Sequence, residues 1–181
     1  MKHVVIYGPP AVGKYAVEVA LEKRTGFKRI QRRLTYPTIL ALFEWGSESF
    51  KKVLYETHTL MMAEAASVGI DIIFTFVFSP SKSDVAQGYL ESVEQHGGDV
   101  CLVRLFSAPD IMEQRVSEPW RADVGLMSSV EQLRAYYDKN PDIDAAISGR
   151  SSLEIDTGVH STAEVVDKII SHYHLPSQQP D

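Results

Sequence analysis

Gly8-Pro9-Pro10-Ala11-Val12-Gly13-Lys14 is the stretch on which the reading of this sequence turns. It fits the pattern G-x-x-x-x-G-K, a loop whose backbone amides wrap phosphate. Directly before it stands a short apolar run rich in β-branched residues, His3 to Tyr7. Directly after it, Gly13 to about Arg24 turns helical, with Val17, Ala20 and Leu21 on one face. Strand, glycine turn and helix in that order are the context the pattern requires. The glycines let the backbone pass close to a phosphate with no Cβ in the way. The amides of Pro9-Pro10-Ala11-Val12 and its neighbours, as far as prolines leave them, then face anionic oxygens together with the helix N-terminus. Lys14 has the reach for the outer phosphates of a nucleotide.

The next position departs from the full motif. Ser or Thr normally stands there and offers its hydroxyl to magnesium, whereas this chain has Tyr15. A phenol oxygen lies several ångströms farther from the backbone and cannot take the same place. Phosphate binding by residues 8 to 15 is expected to survive the change. Magnesium, if used, is expected to rest on phosphates and water, with no protein metal ligand assigned.

Outward from the loop, strand and helix patterns alternate. A weak second strand covers Phe27 to Ile30, and helices are expected over Thr35 to Trp45 and Glu48 to Val68. Ile70 to Phe78 (IDIIFTFVF) is nearly continuous in apolar residues, as in a parallel strand covered on both faces. Then follow a helix from Ser83 to His96, a strand from Val100 to Phe106 and a helix from Ala108 to Val116. Ser128 to Lys139 reads as a helix opened by a capping box of Ser128 and Glu131. Leu153 to Asp156 is a last short strand, and Thr162 to Tyr173 a last helix with Ser161 and Glu164 as its capping box. Such alternation predicts an α/β protein: a three-layer α/β/α sandwich on a five-stranded parallel sheet, with right-handed crossovers. Ligands belong beyond the carboxyl ends of the strands. One domain is expected over residues 1–175, with a short lid at about 116–128 and a disordered tail at 176–181.

Composition narrows the function classes. The chain has 181 residues, 44% of them hydrophobic, which excludes intrinsic disorder. Its 18 basic and 24 acidic residues leave a net charge of −6, which argues against a general nucleic-acid binder. The single cysteine, Cys101, lies in an apolar run and excludes an intramolecular disulfide. No apolar stretch reaches the roughly 18 residues of a membrane helix, and no signal-peptide layout is visible. The chain is therefore expected to be cytoplasmic, free of membrane, and a monomer or homodimer. The six histidines are scattered and read as surface residues rather than metal ligands.

Tyr7 to Lys14 resembles the opening strand and loop of the small P-loop kinases, of the nucleoside monophosphate kinase and shikimate kinase type. Met112-Glu113-Gln114-Arg115-Val116, followed by Arg121, is similar to their helix leading into an arginine-bearing lid. Ile155-Asp156-Thr157 with Ser161 to Val166 is similar to their last strand and final helix. The resemblance implies an ATP-dependent phosphotransferase acting on a small-molecule acceptor. Gly8, Pro9, Pro10, Ala11, Val12, Gly13, Lys14 and Tyr15 would hold ATP. Arg115 would lie on the adenine side, and Arg121 would join Lys14 at the transferred phosphoryl group. A guanidinium suits both places, since it stacks on π faces and grips phosphate bidentately.

The acceptor would lie near the second strand and the helices after it, where Arg29, Arg32 and Arg33 cluster. That cluster has two readings, an anion-binding site served by Arg32 and Arg33, and a solvated basic turn. Thr35 and Tyr36 add hydroxyls. Trp120 also has two readings, a cover over a bound base or acceptor and a packing anchor for the lid. The acids of the family are missing: Gln31-Arg32-Arg33 stands where shikimate kinases carry one, and the third strand ends Phe76-Val77-Phe78-Ser79-Pro80 without an Asp. Asp71 is at the wrong end of that strand, and neither Asp84 nor Glu44 is assigned. Two function classes therefore stand side by side: a small-molecule kinase, and a nucleotide-binding protein of kinase-like fold with weak or lost catalysis, serving as a sensor or binding module.

Overall fold

Runs of β-branched and aromatic residues become strands where both of their faces find cover, and the described residues form five. They are β1 (Lys2–Tyr7), β2 (Lys28–Ile30), β3 (Ile72–Phe76), β4 (Asp99–Phe106) and β5 (Leu153–Asp156). The structure is a computed structural model that describes residues 1–178. All four strand pairings are parallel, in the order β2-β3-β1-β4-β5. The helices are α1 (Lys14–Thr25), α2 (Arg32–Leu40), α3 (Glu48–Ser67), α4 (Ser83–Glu94), α5 (Pro109–Val116), α6 (Trp120–Asp123), α7 (Val130–Lys139) and α8 (Thr162–Tyr173).

Alternation along β1 sorts the core into two halves. Val4 and Ile6 face an aliphatic layer with Val17 and Leu21 of α1, Met112 and Val116 of α5, Leu133 of α7 and Val165 and Ile169 of α8. Val5 and Tyr7 face a layer rich in aromatic rings, with Met62 of α3, Tyr89 and Leu90 of α4, and Phe74, Phe76 and Phe78 from β3 and its exit. The expected three-layer α/β/α sandwich is what forms. Because β1 lies between β3 and β4, the chain crosses to one side of β1 for β2 and β3 and to the other for β4 and β5. The loop leaving β1 sits at that switch point, the place where open α/β sheets bind ligands.

Some element boundaries differ from the sequence expectation. The helix expected from Thr35 begins at Arg32, because Gln31 is still extended (φ −84, ψ 92) and the chain turns helical directly after it. It ends at Leu40 and runs through Pro37, whose missing N–H removes one bond back to the first turn. The cap of α7 is Ser129, whose hydroxyl accepts from the Gln132 amide at 3.1 Å, rather than Ser128. The capping box of Ser161 and Glu164 on α8 forms in full. The start of the tail expected to be disordered is hydrogen-bonded instead, with the Gln178 amide donating to the Arg24 carbonyl at 2.6 Å. Residues 179–181 lie outside the described residues. Cys101 is buried in the aliphatic half, and burial pushes its thiol up to about 11. No helix among the described residues is long and apolar enough to cross a membrane.

Candidate functional site

The glycine loop is shaped by backbone. Gly8 leaves β1 at φ +147, and a Cβ there would stand 2.2 Å from the Leu105 carbonyl oxygen of β4. No larger residue fits that approach. Ala11 takes the left-handed region at φ 62, and Gly13 does so at φ 101 as the N-cap of α1. No side chain caps α1, so its first-turn amides remain available to an anion. The Lys14 ammonium folds back over the loop and donates to the carbonyls of Gly8 at 2.7 Å and Pro9 at 2.6 Å. Burial first, then the charges of Arg32 and Arg121, bring its pKa down to about 7, against a smaller opposing pull from Glu18.

A chain of hydrogen bonds ties this loop to the last strand. The Thr157 hydroxyl donates to the Val12 carbonyl at 2.8 Å. Arg115 donates to that hydroxyl at 2.9 Å and to the Thr157 carbonyl at 2.6 Å. Its guanidinium is thus fixed beside the loop, along with His160, Ser161, Thr162 and Val165 of the same cleft wall. Arg121 comes in from the other side. It is only 7% exposed and donates from Nε to the Met127 carbonyl at 2.8 Å, which closes the 121–127 turn. Its guanidinium lies 5.6 Å from the centre of the Trp120 ring.

Tyr15 does not stand in for a metal-binding hydroxyl. Its ring stacks on Trp120, with centroids 5.8 Å apart and planes 27° from parallel. The Arg33 guanidinium lies 5.7 Å from the centre of the same ring. Tyr15 is therefore held by α6 and α2 together, and Trp120 serves as the packing partner of the residue that follows Lys14. An aromatic pair of this kind adds about 0.5–1.5 kcal/mol beyond its burial.

Both halves open into one cleft of about 880 Å³. Arg32 and Arg33 line it, but Arg29 does not. Arg29 is turned away into an ion pair with Glu22 at 2.6 Å and Glu18 at 3.3 Å, which removes it from the basic cluster read from the sequence. Around Arg32 stand Tyr36, Trp45, Phe50, Tyr55 and Tyr89. Tyr36 and Trp45 meet edge-on at 5.3 Å, Trp45 and Phe50 at 5.0 Å, and Tyr55 and Tyr89 at 5.3 Å. The charge of Arg32 acts on Lys14, His58, Tyr89 and Tyr136, so it sits centrally among them. His58, behind this wall, is kept neutral, its pKa taken down to about 4 by burial and by Arg32.

Charge is distributed unevenly. The cleft is lined by seven basic side chains (Lys14, Arg32, Arg33, Lys51, Lys82, Arg115 and Arg121) and two acids, Glu18 and Glu118. Among the described residues, Lys51 is the one of the seven in an ion pair, with the exposed Glu48. The other ion pairs use Arg24, Arg29, Lys52, Arg104, Arg134 and Arg150, all outside the cleft lining. A chain of net charge −6 thus concentrates unpaired positive charge in one concavity. Glu18 is the buried acid there, 6% exposed. Burial raises its pKa, while hydrogen bonding from Thr75 and the charge of Arg29 hold it down. No group of three or more His, Cys, Asp or Glu side chains suited to a metal is gathered among the described residues.

Glu18, Thr157 and the aromatic wall, apart from the Tyr36 hydroxyl, were not singled out as site residues in the sequence. Glu18 carries a usable signal, since it lies four residues after Lys14 and so on the same face of α1. The wall carries none, because α2, α3 and α4 contribute it from three separate segments.

A phosphate loop at the switch point of a β2-β3-β1-β4-β5 sheet is the fold of the small P-loop kinases. Solved structures agree. A sugar kinase from Janibacter sp. HTCC2649 superposes with a TM-score of 0.72 at 14% identity, over 97% of this chain and 95% of that one. The tunicamycin resistance protein of Deinococcus radiodurans gives 0.66 at 14% identity, over 99% and 100%. Shikimate kinase from Acinetobacter baumannii, in complex with shikimate, gives 0.58 at 18% identity, over 95% and 92%. At these identities the likeness is one of fold. No protein-family model and no curated relative matches the sequence.

Proposed function

We propose that this protein is an ATP-dependent phosphotransferase acting on a small-molecule acceptor. The observation that carries the reading is the cleft itself: seven cations, six of them in no ion pair among the described residues, converging beside a glycine loop at the sheet's switch point. Charge of that density, with only two acids among seven cations, suits an occupant that brings several negative charges. The kinase folds that superpose on the chain support the same reading. Residues 8 to 15 would cradle the phosphates of ATP, and Arg115 would flank its base. In the transfer, an acceptor oxygen bonds to the γ-phosphorus as the bond from that phosphorus to the β–γ bridging oxygen breaks. ADP leaves, and the acceptor proton passes to water or to a phosphate oxygen. Lys14 would exchange its two loop carbonyls for phosphate oxygens, and Arg121 would hold charge on the moving group.

Residues 116–128 act in this proposal as a lid, and 1–175 as one domain. A lid that excludes water protects ATP from hydrolysis. Magnesium is not well served by the chain, because the Tyr15 ring is stacked on Trp120 and no acid closes β3. Phosphates and water would hold the ion, and no step is routed through it.

The same Tyr15–Trp120 stack favours a second reading, a nucleotide-binding protein with weak or lost catalysis. Calorimetry with ADP, with and without magnesium, followed by an ADP-release assay over an acceptor panel, separates the two. A kinase releases ADP only with an acceptor present. Tight nucleotide binding indifferent to magnesium, without turnover for any acceptor, would mean a binding module.

A further inference from the structure

We infer that the second half of the cleft selects an acceptor with a flat aromatic or heteroaromatic ring and an anionic group, rather than a polyol. The inference rests on the phosphotransferase reading for the word acceptor, but its argument concerns binding alone.

The first observation is what the wall offers. Tyr36, Trp45, Phe50, Tyr55 and Tyr89 present ring surface, and Trp45 is 66% exposed although it packs on Tyr36 and Phe50. A large indole left open beside other rings in a concave site is apolar area awaiting a partner. Flat rings gain offset or edge contacts there.

The second observation is what the wall lacks. Guanidinium and ammonium groups only donate hydrogen bonds. A sugar or polyol brings many hydroxyl donors, which carboxylate oxygens receive most strongly and amide or hydroxyl oxygens also receive. Gln31 is the amide in the lining, and its Oε1 already accepts from Arg33 at 3.1 Å. Glu18 is committed to Arg29 and Thr75. An apolar ring face alone would also take the C–H face of a sugar, so the discriminating feature is the scarcity of carboxylate and amide acceptors, which leaves only hydroxyls such as those of Tyr36, Tyr55 and Tyr89 to receive.

The third observation places the anion. Arg32 and Arg33 occupy the first turn of α2, where Gln31 makes no side-chain cap bond. Both Nε atoms are buried without a partner among the described residues. Two guanidinium groups with unpartnered Nε atoms at the start of α2 make a receptor for carboxylate, sulfate or phosphate. Lys82 lines the same wall. The ring would lie against Trp45 and Tyr36, one helical turn beyond Arg32 on α2.

Matched probe pairs test this with the whole chain. Phenyl phosphate against glycerol 3-phosphate, and 4-hydroxybenzoate against gluconate, hold the anion constant and change the body. The two tryptophans give two indole N–H resonances, assigned with Trp45→Phe. Calorimetry should show each aromatic probe binding at least tenfold tighter than its aliphatic partner, with the Trp45 resonance moved and that of Trp120 little changed. Arg32→Ala should weaken both members of a pair about tenfold, whereas Trp45→Leu, at an exposed position, should erase the preference alone. Equal or tighter binding of the aliphatic probes overturns the inference. So does an aromatic probe that moves Trp120 and competes with ADP, and so does failure of all four to bind at millimolar concentration. ADP release stimulated by gluconate would overturn it while leaving the kinase reading intact. Selective aromatic binding with no ADP release from any acceptor would uphold it and remove the kinase reading.

Discussion

At one end of the cleft, residues 8 to 14 keep their shape through backbone: a glycine pressed against the Leu105 carbonyl, a left-handed Ala11 and an uncapped helix start. At the other end, Arg32, Tyr36, Trp45, Phe50 and Tyr89 form a wall from side chains of α2, α3, α4 and a connecting loop. The first end rests on the aliphatic half of the core, the second on its aromatic half. Backbone recognition suits a constant feature such as a polyphosphate, because amide positions do not depend on side-chain identity. Side-chain walls can vary without disturbing the sheet, so they suit the partner that differs from one protein to the next.

The largest effect should come from Lys14→Ala. Removing one member of a buried charge contact costs about 2–5 kcal/mol, so ADP affinity should fall by about a hundredfold or more in calorimetry. Binding of phenyl phosphate to the aromatic wall should change little. Loss of both together would break the division between the two ends.

Arg121→Ala comes next. It should lower kcat about a hundredfold while ADP affinity shifts only a few-fold, because the proposed role of the group is at the moving phosphoryl. A loss confined to KM would move Arg121 to the binding machinery.

The pH dependence of ADP binding sharpens the account of the backbone end. Free Lys14 has its pKa lowered to about 7, and neighbouring phosphate raises it again. Above about pH 7 the free ammonium is increasingly deprotonated, so binding must take up a proton. Affinity should therefore fall as pH rises, by up to about tenfold per unit. Calorimetry in buffers of different ionisation enthalpy should show proton uptake at pH 8 and little at pH 6. Proton release at pH 8 would contradict the assignment.

The smallest effect is expected from Tyr15→Thr. It restores a short hydroxyl after Lys14 and removes the stack on Trp120, so magnesium should strengthen ADP binding a few-fold more than in the parent protein. An unchanged magnesium response would show that the phenol is not what limits metal binding.

Much of the backbone end was legible in the chain. A loop whose glycines answer steric demands shows them as glycines, and its flanking strand and helix show as changes of period. Arg32, Arg33, Arg115 and Arg121 were also named from sequence, yet their surroundings were not. Arg29 looked like their equal in the run Arg29 to Arg33, but Glu22 and Glu18 claim it from α1. Tyr15 read as a missing metal ligand, and its partnership with Trp120, more than a hundred residues away, had no local signal. Glu18 was not read from the sequence at all, because the residues that hold it, Arg29 and Thr75, come from β2 and β3.

The sequence by itself determined the order of strands and helices and the place of the glycine loop, because these follow from local periodicity, turn chemistry and the absence of Cβ atoms. Only the tertiary structure decided which cations stay unpaired, which carboxylate is buried among them and which rings line the cleft. Those properties depend on pairs of residues that meet in space from distant segments, and such meetings are set by packing on the two faces of the sheet rather than by neighbours in the chain.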